Sequence, residues 1–218
     1  TYENALPVFE EFGVRGTCFV IPDLVGHPED GFMTQEQVDK LSRYYGWGIG
    51  GHDWTVLTDL PIEKDEGSPE WERTLDETLS RIKQYLDEHN YPGKDCFAIP
   101  YGKYNQEVIN NLCKYFTYVR PHNLLTQPTG YVCPNEINSH LVACTTKMED
   151  IQYWIDNAKK NSDWVVLVMH RIVDNPRDGV CTENSTEFLR QVIDYSLNVA
   201  EVNVVPFHEA LEQYYPNN

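Results

Sequence analysis

Residues that could carry out chemistry stand directly after short apolar runs of this sequence. His52 and Asp53 follow the glycine-rich run GWGIGG, and His170 follows WVVLVM. A proline–tyrosine–glycine turn at 100–102 follows DCFAI. An imidazole can carry a proton near neutral pH or bind a metal ion, and a carboxylate can act as a base. Because these groups come at successive strand ends, the pattern predicts a site.

The elements that must position these residues alternate between helices and short strands. Helices are predicted over residues 2–13, 34–46, 68–89, 105–115, 148–160, 185–199 and 208–215. Strands are predicted at 17–21, at the run leading into His52, and at 95–99, 116–120 and 164–170. A loop-rich stretch is predicted from Pro121 to about Thr146. Such alternation favours parallel strands joined by right-handed crossovers.

About six such units without a dividing linker predict a single α/β domain over 1–218 and favour a (β/α) barrel. Active residues of such barrels lie at the C-terminal ends of the strands. Two helices carry particularly clear signals. Thr34 and Gln37 form a capping-box pattern, and Pro69 opens a helix whose apolar stripe comprises Trp71, Leu75, Leu79, Ile82 and Leu86.

Composition narrows the class of partner. The chain has 34 acidic and 17 basic residues, for a net charge of −17. This charge repels nucleic acid and anionic membrane surfaces and favours a neutral or cationic partner, such as a sugar. No run of 18 apolar residues exists, so no membrane span is predicted. The N-terminal segment TYENALPVFEEF lacks the basic and apolar regions of a secretion signal.

Six scattered cysteines without a Cys-x-x-Cys pair argue against a zinc knuckle or a redox dithiol. Three of them fall in predicted strands or helices and are predicted to be buried thiols: Cys18, Cys96 and Cys113. The other three fall in loop-like sequence that is compatible with a disulfide: Cys133, Cys144 and Cys181.

The order of these motifs resembles the polysaccharide deacetylases, the NodB-homology group or carbohydrate esterase family 4. The resemblance covers essentially the whole chain and rests on YENALPVFEEFGVRGTCFVI, GWGIGGHDWTVLTDL, CFAIPYGKYNQEV, WVVLVMHRI, STEFLRQVIDY and VNVVPFHEAL. It implies a distorted (β/α) barrel and a hydrolase that removes N- or O-acetyl groups from an acetylated polysaccharide or oligosaccharide. It also favours a secreted or cell-surface location.

The resemblance implies a mechanism as well. In the family a divalent metal, usually zinc, is held by an aspartate and two histidines in an HxxxH arrangement, where it activates water and polarises the acetamide carbonyl. On that template His52 matches the first metal histidine, and His170 matches the late general acid. Tyr101 matches the tyrosine of the oxyanion turn, which acts through its backbone N–H. Trp54 and Trp164 could stack on a sugar ring, although Trp164 fits a core position equally well.

Three features depart from the family pattern. The TFDDG motif, which carries the base and the metal aspartate, normally precedes a helix like 2–13. Either the sequence is truncated or the family's first strand is absent. Val56 occupies the place of the second metal histidine, so Asp53 and Asp59 become the alternative metal ligands. Ala98 replaces the arginine that orients the base, and Arg120 is a candidate to stand in for it.

Two other functions remain open. The chain could be a catalytically impaired carbohydrate-binding relative that has lost the metal, or a barrel hydrolase that uses His52, Asp53 and His170 without metal. Among the remaining histidines, His208 is predicted to cap the last helix and His89 to lie near a helix C-terminus. The acidic run 63–72 is predicted to be a solvated face.

Overall fold

The computed structural model describes residues 1–53, 69–100, 104, 106–120 and 139–214. It divides the chain into two compact units. Unit 1 comprises Thr1–Gly16 and Ser139–Tyr214. Unit 2 comprises Thr17–Asn138 and Tyr215–Asn218.

Unit 2 is built on a four-stranded parallel sheet. Its strands, in the spatial order β1–β2–β3–β4, are Thr17–Val20, Gly48–His52, Cys96–Ala98 and Tyr118–Arg120. Its helices are α2 (Gln35–Arg43), α3 (Pro69–Glu88) and α4 (Gln106–Leu112). Short 3-10 turns at Pro22–Leu24 and Pro28–Asp30 follow β1.

Local sequence signals account for both long helices of this unit. The Thr34 hydroxyl accepts a hydrogen bond from the Gln37 backbone N–H, and the Gln37 side chain accepts one from the Thr34 N–H, so the predicted capping box is confirmed. Along α3, the four aliphatic residues of the predicted stripe are at most 2% exposed: Leu75, Leu79, Ile82 and Leu86. Glycine at position 51 permits this packing, because an added Cβ would lie 2.8 Å from the Ile82 Cγ2 atom.

Unit 1 combines four helices with two pairs of short parallel strands. The helices are α1 (Ala5–Phe12), α5 (Met148–Asn161), α6 (Thr186–Asp194, continued by a π-helix at Tyr195–Val199) and α7 (Phe207–Tyr214). Strand β5 (Ser139–Leu141) pairs with β6 (Val166–Val168), and β7 (Arg171–Val173) pairs with β8 (Glu183–Ser185). Helix α6 contributes to two apolar clusters: Leu189 and Ile193 pack with Ala5, Val8 and Ile172, and Val192 packs with Val142, Ile151, Ile155 and Ala200.

The structure corrects several sequence predictions. A strand, β5, lies within the stretch that was predicted to be loop-rich. Strands β7 and β8 were not predicted, and the strand predicted over 164–170 is confined to Val166–Val168 and is only partly buried. The α/β class is confirmed. The described strands form one four-stranded sheet and two strand pairs, so the described residues show no closed barrel.

Cysteine chemistry also differs from the prediction. Cys144 and Cys181 form a disulfide, which the loop positions had left open. Cys113 is disulfide-bonded, so the prediction that it is a thiol was wrong. Cys96 is a buried thiol as predicted, and Cys18 is a partly buried thiol. None of the described helices is long and apolar enough to cross a membrane.

Candidate functional site at the carboxyl ends of strands β2 to β4

Three strand-end residues of unit 2 lie side by side. His52 ends β2, Ala98 ends β3 and Arg120 ends β4, and the parallel register pairs His52 with Ala98 and Ala98 with Arg120. Register partners project from the same face of a sheet, because side chains alternate along each strand. Neighbouring strands are about 4.8 Å apart, so the backbones of His52 and Arg120 are separated by about 10 Å. The imidazole and the guanidinium therefore share one face at the edge where sites of parallel sheets form.

The register also sets the orientation of the His52 ring. Its Nδ1 atom lies 2.7 Å from the carbonyl oxygen of Ala98, on the neighbouring strand. A carbonyl oxygen can only accept a hydrogen bond, so Nδ1 donates. In the neutral ring the lone pair is then on Nε2, the state in which a histidine binds a metal ion. Asp53, the next residue in the sequence, is only 4% exposed, so a buried acidic residue directly follows His52.

Arg120 places a buried cation in the same row. The residue is 7% exposed, and loss of hydration lowers the pKa of its guanidinium to about 10. The group therefore stays protonated at neutral pH. Its Cζ atom lies 5.4 Å from the centroid of the Phe19 ring, within the range of a cation–π contact.

The glycines before His52 make room for that aromatic ring. Phe19 on β1 is the register partner of Gly50. An added Cβ at Gly50 would lie 2.6 Å from the Phe19 ring, so only glycine lets the ring lie across β2. Phe19 therefore helps to shape this face, a role that its place in a short apolar run did not suggest. In the sequence, the signal for this packing was Gly50, two residues before His52.

The other predicted site residues fall into two groups. Tyr101, Asp59, Trp54 and Val56 lie outside the described residues, so the predictions made for them stay predictions. His170 belongs to unit 1, where it is exposed and stands directly before β7. Trp164, also in unit 1, stacks on Tyr214 with ring centroids 5.6 Å apart and packs against Phe207. The contacts observed for Trp164 are therefore those of the core position, not of a ring left open for a sugar.

Glu183 stabilises the strand pair that follows His170. Its carboxylate, 3% exposed, accepts hydrogen bonds from the Arg177 Nη2 atom at 2.7 Å and from the Arg177 backbone N–H at 2.9 Å. Arg171 lies 3.5 Å away. The Arg177 hydrogen bonds hold the pKa of Glu183 down at about 2. Sequence reasoning missed this residue, because an acidic side chain in the polar segment ENS carries no strand or site signal.

One further histidine is placed differently from its prediction. His208 lies inside α7, which begins at Phe207, so its predicted capping role was wrong. Burial lowers the pKa of His208. His140, unplaced by the sequence, lies on β5 and stacks on Trp154 with ring centroids 4.3 Å apart. His89 does follow the C-terminus of α3, as predicted.

The donor set around His52 is incomplete within the described residues. There, one group of three potential ligands comes within 4.8 Å of each other, and it consists of the exposed residues His27, Glu29 and Asp30. His52 is not part of it. The His52 tautomer fits a metal ligand, whereas the described residues around it do not form a closed ligand set.

Comparison with known families agrees with this arrangement. The profile of the family described as polysaccharide deacetylase matches residues 1–118. Because the match spans more than half of the 218 residues, the chain belongs to the polysaccharide deacetylase family. YxkH of Bacillus subtilis (strain 168), whose name assigns it to the polysaccharide deacetylases, is 24% identical over 110 residues, or 50% of this chain. The match covers 35% of YxkH, so this chain spans about a third of that relative's length.

Solved structures show the same fold. The Xyl-CE4 domain of a multidomain xylanase from the hindgut metagenome of Trinervitermes trinervoides aligns with a TM-score of 0.57 at 13% identity, covering 98% of this chain and 84% of that domain. A family 4 carbohydrate esterase from Streptomyces lividans, solved in complex with acetate, aligns with a TM-score of 0.53 at 14% identity, covering 91% and 82% of the two chains. At these identities the likeness establishes the carbohydrate esterase family 4 fold.

Proposed function

We propose that this chain is a hydrolase that removes acetyl groups from a polysaccharide or oligosaccharide at the carboxyl ends of β2, β3 and β4. The observation that carries the proposal is the row formed by His52, Ala98 and Arg120, in which the Nδ1–H of His52 is engaged by the Ala98 carbonyl. Membership of the polysaccharide deacetylase family supports this reaction class. The acetate in the Streptomyces lividans esterase structure is consistent with it.

His52 would hold a divalent metal ion through Nε2, and the family pattern implies zinc. Asp53 and Asp59 are the carboxylates proposed to complete its ligand set. When bound, such a metal supplies a polarised acetyl carbonyl and a water of lowered pKa. The Ala98 carbonyl keeps His52 in the ligating tautomer, and Asp53, the buried residue that follows it, supplies a carboxyl group.

Arg120 would act as a positioning residue. A buried guanidinium favours an anionic partner, because a desolvated cation is costly without one. In the proposed reaction that anion is the carboxylate that acts as base, which the family carries on its TFDDG motif. Arg120 would therefore replace the family arginine whose place is taken by Ala98 in this sequence. Arg120 would orient this carboxylate and lower its pKa.

The remaining roles follow the family pattern. The backbone N–H of Tyr101 would stabilise the oxyanion that forms when the acetyl carbonyl is attacked. His170 would donate a proton to the leaving amine or alcohol, and its exposed position leaves it accessible. We propose that residues 1–218 act as one deacetylase domain of the distorted (β/α) barrel type.

The net charge of the chain supports a class of substrate, and its disulfide supports a location. A net charge of −17 favours a neutral acetylated polysaccharide over anionic polymers such as nucleic acid. The Cys144–Cys181 disulfide indicates an oxidising environment, which supports a secreted or cell-surface location.

A catalytically impaired, carbohydrate-binding protein is the second candidate function. It is favoured by Val56, which cannot ligate metal, and by the incomplete donor set around His52 among the described residues. The two functions make opposite predictions for metal content and for acetate release, so one experiment separates them.

That experiment measures bound metal and acetate release for the unaltered chain and for two histidine variants. The deacetylase proposal expects one divalent ion per chain, and it expects His52→Ala to lose the ion and to lower acetate release by about 100-fold or more. His27→Ala is the matched control, because His27 belongs to the exposed three-ligand group. Metal lost only in His27→Ala, without acetate release by any form, would support the carbohydrate-binding alternative.

A further inference from the structure

A cavity lies at the end of the unit 2 sheet that is opposite to His52 and Arg120. It has a volume of about 480 Å³ and is lined by Ser42, Arg43, His89, Asn90, Tyr91 and Pro92. Two of these residues end α2 ahead of β2, and the other four connect α3 to β3. The cavity is therefore at the amino ends of β2 and β3, whereas His52 and Arg120 are at the carboxyl ends of the strands.

The wall of this cavity is tied to the core of the unit. The Ile49 backbone N–H donates to the Pro92 carbonyl at 2.6 Å. The fully buried Tyr91 donates its hydroxyl proton to Asp39 at 2.6 Å and accepts a hydrogen bond from Gln35 at 2.7 Å. Gly93 has φ +90°, a conformation suited to glycine, and packs against the Ile49 backbone. The cavity is thus formed before any ligand binds, as ligand sites usually are.

The lining offers both donors and acceptors. His89 Nδ1 donates to the Tyr85 carbonyl at 2.8 Å, which leaves Nε2 as an acceptor in the neutral ring. Arg43 and Asn90 are exposed and bring a guanidinium and an amide. The Ser42 hydroxyl is buried and has no hydrogen-bond partner among the described residues. This mixture suits a polyhydroxylated ligand.

An exposed aromatic ring and the charges around the cavity further restrict the class of ligand. Tyr44 does not line the cavity, but it directly follows Arg43, is 75% exposed and offers an aromatic surface on which the next sugar ring of a chain can pack. Helices α2 and α3 both end at this cavity, and helix C-termini carry partial negative charge. Asp39 lies 3.9 Å from Arg43 and offsets its charge. These fields disfavour an anion, which is consistent with a neutral sugar as the ligand.

We infer that this cavity is an accessory site that binds a neutral sugar residue of the polysaccharide, away from the strand ends where acetyl groups would be removed. The volume is within the range of small-molecule sites. The identity of the glycan rests on the proposed function, whereas the cavity and its lining do not. Such a site would hold a long chain on the protein while another part of that chain reacts.

Binding to a long acetylated polysaccharide tests this inference. Affinity electrophoresis in gels containing acetylated xylan or a soluble chitin derivative would compare the full chain with Arg43→Ala/His89→Gln and with Tyr44→Ala. We expect both variants to bind about tenfold more weakly, which corresponds to losing one or two hydrogen bonds or a ring contact. Arg73→Ala is the matched control, because Arg73 is equally exposed (65% against 64%) and also pairs with a carboxylate one helical turn away.

Acetate release from an acetylated disaccharide, which is too short to reach both sites, separates this inference from the proposed function. We expect the cavity variants to retain it and His52→Ala to lose it. Equal polysaccharide binding by the cavity variants and Arg73→Ala would overturn the accessory site and leave the proposed function standing. Weakened binding in the cavity variants, with no acetate release by any form, would support the accessory site and contradict the proposed reaction.

Discussion

At the scale of single residues, the chemistry of the candidate site is set by neighbours on adjacent strands. The His52 ring is oriented by a carbonyl of β3, and Arg120 is placed in the same row by the register of β3 and β4. Neither relation is visible in the segment GWGIGGHDW alone. Sequence reasoning proposed His52 and Asp53 as metal ligands and Arg120 as a stand-in for the family arginine, while the His52 tautomer and the face shared with Arg120 required the sheet.

Replacement of Arg120 tests its positioning role. A nearby cation lowers the pKa of a carboxylate, so removing it raises that pKa. We expect Arg120→Met to lower kcat/KM for acetate release by about tenfold to 100-fold and to move the acidic limb of the pH–rate profile to higher pH. Arg120→Lys keeps a positive charge, so its acidic limb should stay closer to that of the unaltered chain. An Arg120→Met profile with unchanged shape would show that Arg120 does not act on the base.

Gly50 has a steric role that can be measured through stability. Its missing side chain leaves room for the Phe19 ring, which an added Cβ would approach to 2.6 Å, and the Cys96 carbonyl oxygen lies 3.0 Å from the same position. We expect Gly50→Ala to lower the free energy of unfolding by about 1–3 kcal/mol, as measured by urea denaturation. In the Phe19→Ala background the same change should cost less, since its closest clash is gone. Equal costs in both backgrounds would contradict this account.

At the scale of elements, the helices were predictable because their signals are local. The capping box of α2 and the apolar stripe of α3 are contained within each helix. The strands β5, β7 and β8 each have three residues, SHL, RIV and ENS, which is too short for alternation to be recognised. Of the two buried polar residues of ENS, Glu183 is paired with Arg177 and Arg171.

The β7–β8 pair should therefore respond to acid through Glu183. Its folded-state pKa of about 2 is below the ordinary value of 4.5, so its stabilising contribution is present above pH 4.5 and is lost as the pH falls towards 2. We expect Glu183→Gln to be less stable than the unaltered chain at neutral pH, and this difference to shrink across that acidic window. Urea denaturation at a series of pH values measures it.

Glu187→Gln is the control for this prediction. Glu187 is 69% exposed and its carboxylate lies 3.9 Å from Arg190, so the pair is weakly coupled and hydrated. Its substitution should change stability little at any pH in the series. A Glu183→Gln deficit that stayed constant from neutral to acidic pH would mean that the Arg177 and Arg171 pairs are not its source.

At the scale of the whole molecule, a net charge of −17 makes the protein attract positively charged reaction products more strongly than neutral ones. Removing an O-acetyl group leaves a neutral hydroxyl, whereas removing an N-acetyl group leaves an amine that takes up a proton. A polyamine is attracted to an acidic protein, and salt screens this attraction over a Debye length of about 10 Å at 0.1 M. Product inhibition is therefore a measurable consequence of the overall charge.

We expect inhibition of acetate release by deacetylated chitooligosaccharide to be strongest at low salt and to weaken severalfold when the ionic strength rises about tenfold. Deacetylated xylooligosaccharide, which is neutral, is the matched control, and its inhibition should change by less than about twofold. Initial rates at fixed substrate and varied inhibitor give both inhibition constants. Equal salt responses for the two products would contradict a role for the overall charge, because only the amine-bearing chain has a charge for the acidic surface to attract.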